Sequence, residues 1–141
     1  MPWTIDSCVL LDIALADPAF AMPSAKLLDR LRRDGLVICP VSVVEVAPCF
    51  GGLAANVQDF AEQIGADAKW EWVPADTENA AAAWSRHVSF KRAGKGIRRP
   101  IADILIGAFA LRTGGLVTRN VRHFSAIFPS LKIVDPSECV C

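Results

Sequence analysis

Three carboxylates in this 141-residue chain sit in apolar stretches instead of polar ones. Asp6 follows Trp3-Thr4-Ile5 and precedes Ser7 and the run Cys8-Val9-Leu10-Leu11. Glu45 ends Pro40-Val41-Ser42-Val43-Val44, and Asp103 lies inside Arg98 to Leu111, RRPIADILIGAFAL. A carboxylate among apolar residues is costly unless it is paired, hydrogen-bonded or bound to a metal. Clustered carboxylates hold Mg2+ or Mn2+, which prefer hard oxygen ligands. Such an ion activates a bound water and stabilises charge developing on a phosphate. Each acid also has an ordinary structural account. Asp6 or Ser7 can cap a helix. Ser42 and Glu45 have the S-x-x-E spacing of a capping box. Asp103 falls in an early helical turn, where the helix dipole favours an acid by about 0.3–1 kcal/mol.

The flanking patterns specify the elements that must carry these residues. Trp3-Thr4-Ile5 reads as a short buried strand ending at Asp6, followed by a helix. Asp12, one to two turns into that helix, is read as solvated or supporting. Pro23 to about Arg33 reads as an amphipathic helix with Leu27, Leu28 and Leu31 inward, stopped by Asp34-Gly35. Leu36 to Cys39 is a buried strand, and a short helix follows, broken by Pro48 and Gly51-Gly52. Leu53 to Ile64 forms another amphipathic helix. Trp70 and Trp72 alternate as a half-buried or edge strand closed by Pro74, and Asp76 or Thr77 caps a helix to about Phe90 or Lys91. Pro100 suits the first turn of the Asp103 helix. Leu116 to Thr118 and Lys132 to Val134 read as strands, with a polar loop from Arg119 and a short helix between them. Alternation of strands and helices argues α/β with a central, mostly parallel sheet flanked by helices, in one domain over residues 1–141. In such sheets ligands gather at the carboxyl ends of strands, where Asp6 would stand.

Charge is balanced overall but unevenly spread. Residues 1–85 carry 5 Lys/Arg against 12 Asp/Glu, and residues 86–141 carry 10 against 3. That division fits a cation pocket beside an anion-binding surface. The run from Arg86 to Arg99 has six Lys/Arg, no acid and two glycines, and reads as a loop that is either a solvated face or a phosphate contact. Five cysteines without framework spacing are expected to be reduced thiols. No apolar run is long enough to span a bilayer, and MPWTID has no signal-peptide pattern, so a cytoplasmic location is expected.

Taken together, Ile5-Asp6-Ser7 with Leu10-Leu11-Asp12, Val41-Ser42-x-x-Glu45, Ala102-Asp103-Ile104-Leu105-Ile106-Gly107-Ala108 and Val117-Thr118-Arg119-Asn120 with Phe124 resemble the PIN domain family. More narrowly they resemble the VapC toxins of bacterial toxin–antitoxin pairs. The resemblance implies a Rossmann-like three-layer fold and a Mg2+- or Mn2+-dependent endoribonuclease. By position it implies Asp6, Glu45 and Asp103 as catalytic acids and metal ligands, with Ser7 and Thr118 orienting ligands or phosphate. Asn120 stands where many relatives have a fourth acid; its carbonyl oxygen can ligate but adds no charge. His123 stands where some have Asp, and one tight metal is therefore expected. Lys95, Arg98, Arg99 and Arg119 are the expected phosphate contacts on RNA. The implied partners are an RNA substrate, a cognate antitoxin and a second copy of the chain. The alternative is a non-catalytic PIN-like RNA-binding module.

Overall fold

The computed structural model describes residues 1–92 and 101–138, with backbone alone at 90–92. Five parallel strands form one sheet: β1 (Trp3–Ile5), β2 (Leu36–Val37), β3 (Ala66–Asp67), β4 (Gly115–Val117) and β5 (Ile133–Val134). Their spatial order is β3-β2-β1-β4-β5. The α-helices of the described residues are α1 (Ser7–Ala14), α2 (Ala21–Leu31), α3 (Pro40–Val46), α4 (Ala54–Gln63), α5 (Pro74–Arg92), α6 (Ile101–Leu111) and α7 (Val121–Ile127).

Successive side chains of a strand point to opposite faces, and the strands divide accordingly. Leu36, Ile38, Ile5 and Val117 enter a core with Val9 and Leu10 of α1, Leu27 and Leu28 of α2 and Val57 of α4. Val37, Cys39 and Leu116 enter a second core with Ala80 and Ala83 of α5, Ile104 and Phe109 of α6 and Phe124 of α7. The result is the expected three-layer α/β arrangement. From Ile106 to Ala110 every residue of α6 is buried, as its continuous apolar sequence requires. Gly107 is needed there, because a Cβ would overlap the ring of buried Phe128.

Three expectations are corrected. Trp70 and Trp72 do not form a strand; Ala66–Asp67 pairs with β2 instead, with Leu36 opposite Ala66. The indoles serve the second core, and Trp70 meets Phe109 edge-on at 6.2 Å. α3 begins at Pro40 with Cys39 as its cap residue, so Ser42 and Glu45 do not form a capping box. Buried Ser42 Oγ has no hydrogen-bond partner, and Glu45 is turned to other use. α5 likewise starts at Pro74, two residues before the expected cap. Asp76 lies inside its first turn, accepts from the Val73 N–H at 3.1 Å and pairs with Arg112 at 3.0 Å. No single helix among the described residues is long and apolar enough to cross a membrane.

Candidate active site

The chain leaves β1 toward β2 on one side of the sheet, while β4 joins β1 from the other. This reversal opens a crevice at the carboxyl ends of β1 and β4, the position where open α/β sheets place ligands. Asp6 and Thr118 are the first residues beyond those two strands. The Asp6 N–H donates to the Val117 carbonyl at 2.9 Å, which carries the sheet register to the rim of the crevice.

Asp6 is only 3% exposed, and its carboxylate is held from three directions. Oδ1 accepts the Ser7 N–H at 2.8 Å, as expected of an acid capping α1. Oδ2 accepts the Thr118 hydroxyl at 2.7 Å and the Cys8 thiol at 3.3 Å. Thr118 Oγ1 in turn accepts the Asn120 N–H at 3.0 Å. Ser7 Oγ donates to Glu45 Oε1 at 2.6 Å, tying exposed Glu45 of α3 to the start of α1. Burial and the neighbouring Asp6 charge push the Cys8 thiol up to about 12, so it remains a neutral donor.

Asp103 lies in the first turn of α6 with its side chain 29% exposed. Its partner is His123 of α7, whose Nε2 donates to Oδ2 at 2.9 Å. Burial and repulsion from Asp6 raise the Asp103 carboxyl above its ordinary value; His123 opposes the rise and Glu45 adds to it. Asp103 therefore feels the charges of both Asp6 and Glu45.

The other expected site residues fall as follows. Asn120 sits exposed ahead of α7 without a side-chain cap bond, and its contribution to the crevice is the backbone N–H on Thr118. Arg119 was expected to meet phosphate. Instead its guanidinium makes a two-pronged pair with Asp12, at 2.7 and 3.1 Å, and lies 4.0 Å over the Phe20 ring. That pair raises the Arg119 pKa further and buries Asp12, which is supporting but not solvated. Lys95, Arg98 and Arg99 lie outside the described residues.

Sequence reasoning underrated His123 and Asp12 because their partners lie far along the chain. Cys8, two residues beyond Asp6, was within reach of a spacing argument. The donors Asp6, Glu45 and Asp103 are hard oxygens suited to Mg2+ or Mn2+. Among the described residues, however, no three His, Cys, Asp or Glu side chains already stand close enough to hold a metal ion. No protein-family model matches this sequence, and neither a curated protein nor a solved structure matches it.

Proposed function

We propose that the chain is a PIN-like endoribonuclease of the VapC kind, hydrolysing RNA phosphodiester bonds with Mg2+ or Mn2+. The carrying observation is the carboxylate of Asp6 at the carboxyl end of β1: it is buried, Thr118 beyond β4 donates to it at 2.7 Å, and the adjoining Ser7 donates to Glu45 at 2.6 Å. The charges of Asp6 and Glu45 also raise the Asp103 carboxyl. Repulsion among acids along a strand-end crevice is what a divalent cation would relieve.

In this reading Asp6, Asp103 and Glu45 hold the cation. When bound, it supplies an activated water and neutralises charge on the phosphate. Thr118 and Ser7 do not touch substrate; they orient Asp6 and Glu45 through the hydrogen bonds described above. Arg119, next to Thr118 in sequence, is taken up by its pair with Asp12. Phosphate contact then rests with Lys95, Arg98 and Arg99, which immediately precede α6 in sequence. The same reading carries a cytoplasmic toxin, paired as a homodimer and silenced by an antitoxin that places an apolar segment and a cation in the acidic crevice.

The test is a cleavage time course on mixed cellular RNA in Mg2+ or Mn2+, with chelated metal and Asp103→Asn as controls. Discrete cuts that vanish in both controls support the nuclease. Cutting that survives Asp103→Asn refutes this site. One observation favours a second reading, a PIN-like RNA-binding module without catalysis: the acids do not converge as they stand, and Asp103 is already engaged by His123. RNA retained without any cutting in either metal would select that reading.

A further inference from the structure

Two arginines in this fold grip a buried aspartate with two prongs, and they differ in what is left over. Arg112, just ahead of β4, binds Asp76, lies over Trp70 and Phe109, and donates a further Nη2 hydrogen to the Glu71 carbonyl at 2.8 Å. Arg119, just beyond β4, binds Asp12 through Nε and Nη2. That takes up one edge and two of its five N–H donors, and the other three meet no partner among the described residues. We infer that the remaining Nη1–Nη2 edge of Arg119 is a phosphate subsite, which takes a phosphodiester group of RNA neighbouring the one at the crevice. The inference rests on the RNA reading of the chain and holds whether the crevice cuts or only binds.

The guanidinium is fixed on two sides and open on the third. The Asp12 side chain is 8% exposed, and its carboxylate closes the Nε side at 2.7 and 3.1 Å. The Phe20 ring covers one face, with the guanidinium carbon 4.0 Å from its centroid. Phe20 is held in turn, because its N–H and that of Ala19 both donate to Asp17 Oδ1, at 2.9 and 2.8 Å. The arginine side chain is still 28% exposed, and none of its unpartnered nitrogens is buried. A planar fork of this kind matches two oxygens of a phosphate, which an ammonium cannot do. Asp12 balances the charge of Arg119 and Asp17 is an acid nearby, so the subsite selects by hydrogen-bond geometry and not by net charge. Along α1, Asp12 stands about 9 Å beyond Asp6, which sets the subsite beside the crevice and apart from it.

The experiment measures binding of a fluorescein-labelled single-stranded RNA to the full chain by anisotropy, over a series of salt concentrations in chelated buffer. Two variants keep the net charge of the parent. Asp12→Asn combined with Arg119→Gln replaces the ion pair by two neutral amides, so no buried charge is left unpaired. Arg119→Lys keeps an ion pair to Asp12 and has no second edge. Thermal midpoints are recorded for all three proteins. RNA affinity is expected to fall about tenfold or more in both variants, the worth of a hydrogen bond to a charged group. The slope of log affinity against log salt should become shallower by about 0.7, the share of one phosphate contact on a single strand. Should the double variant fail to fold, Arg119→Lys still decides. Affinity within about threefold of the parent in either folded variant overturns the inference and leaves the RNA reading standing. A loss with an unchanged salt slope overturns it as well, since damage to the fold then explains the loss. A parent that binds no RNA refutes the RNA reading itself, and the inference falls with it.

Discussion

Replacing Thr118 with valine removes one buried oxygen at the end of β4 and leaves the side-chain shape almost unchanged. Both residues are β-branched, so the restricted χ1 preference survives and little cavity opens. The lost hydroxyl donates to Asp6 at 2.7 Å and accepts from the Asn120 N–H at 3.0 Å. Asn120 is exposed, so water replaces the second bond. Asp6 is 3% exposed and keeps only the Ser7 N–H and the Cys8 thiol. A hydrogen bond to a charged group is worth about 1.5–3 kcal/mol, and losing this one should cost toward the upper half of that range. For a chain of this length the melting midpoint should then drop by about 6–12 °C. Urea denaturation followed by tryptophan fluorescence, in chelated buffer, measures the loss directly. A double-mutant cycle with Asp6→Asn should show a coupling of about 1 kcal/mol or more between the two positions. If Thr118→Val stays within about 0.5 kcal/mol of the parent, or the two losses simply add, the bond does not organise the crevice and the account of the site is wrong.

Asp103→Asn should raise the metal-free melting midpoint at neutral pH, since burial and repulsion from Asp6 and Glu45 outweigh His123 in opposing the charge it removes. Added Mn2+ should stabilise the parent and leave this variant unmoved; an equal response in both excludes Asp103 as a ligand. Burial pushes the Cys39 thiol up to about 12, so the folded state holds that proton more tightly than the unfolded chain does. Its contribution is complete below the ordinary thiol value and is lost as pH climbs toward 12. The chain has no tyrosine to add to that alkaline titration. Urea midpoints taken between pH 8 and 11 should fall less steeply in Cys39→Ala than in the parent, and parallel slopes would contradict this. Gly107→Ala should destabilise the fold by about 1–3 kcal/mol through overpacking against Phe128. Adding Phe128→Leu should recover part of that loss in a thermal melt, and no recovery would place the clash elsewhere.

Much of the fold was legible because its signals are local. An apolar triplet before Asp6 and an apolar run after it specify a strand and then a helix, whatever the rest of the chain does. The continuous apolar face of Ile104 to Leu111 requires burial on nearly all sides, and the second core provides it. Strand alternation with helices then leaves few topologies open. The local signals failed where a tertiary partner outweighed them. Trp70 and Trp72 alternate like a strand, yet both pack against the second core instead. Ser42 and Glu45 have the spacing of a capping box, but Pro40 starts α3 early and frees Glu45 to take the Ser7 hydroxyl.

The sequence by itself determined which residue types stand at strand ends and helix starts, since hydrophobic periodicity and backbone stereochemistry act over a few residues. It placed Asp6, Glu45 and Asp103 on separate elements, with Thr118 at the end of a strand. Only the tertiary structure decided their partners: Thr118 for Asp6, His123 for Asp103, and Asp12 for Arg119. A hydrogen bond or ion pair is a matter of a few ångströms, and these pairs are 112, 20 and 107 residues apart along the chain. Chain order holds no such distance until the sheet closes and brings the carboxyl ends of β1 and β4 side by side.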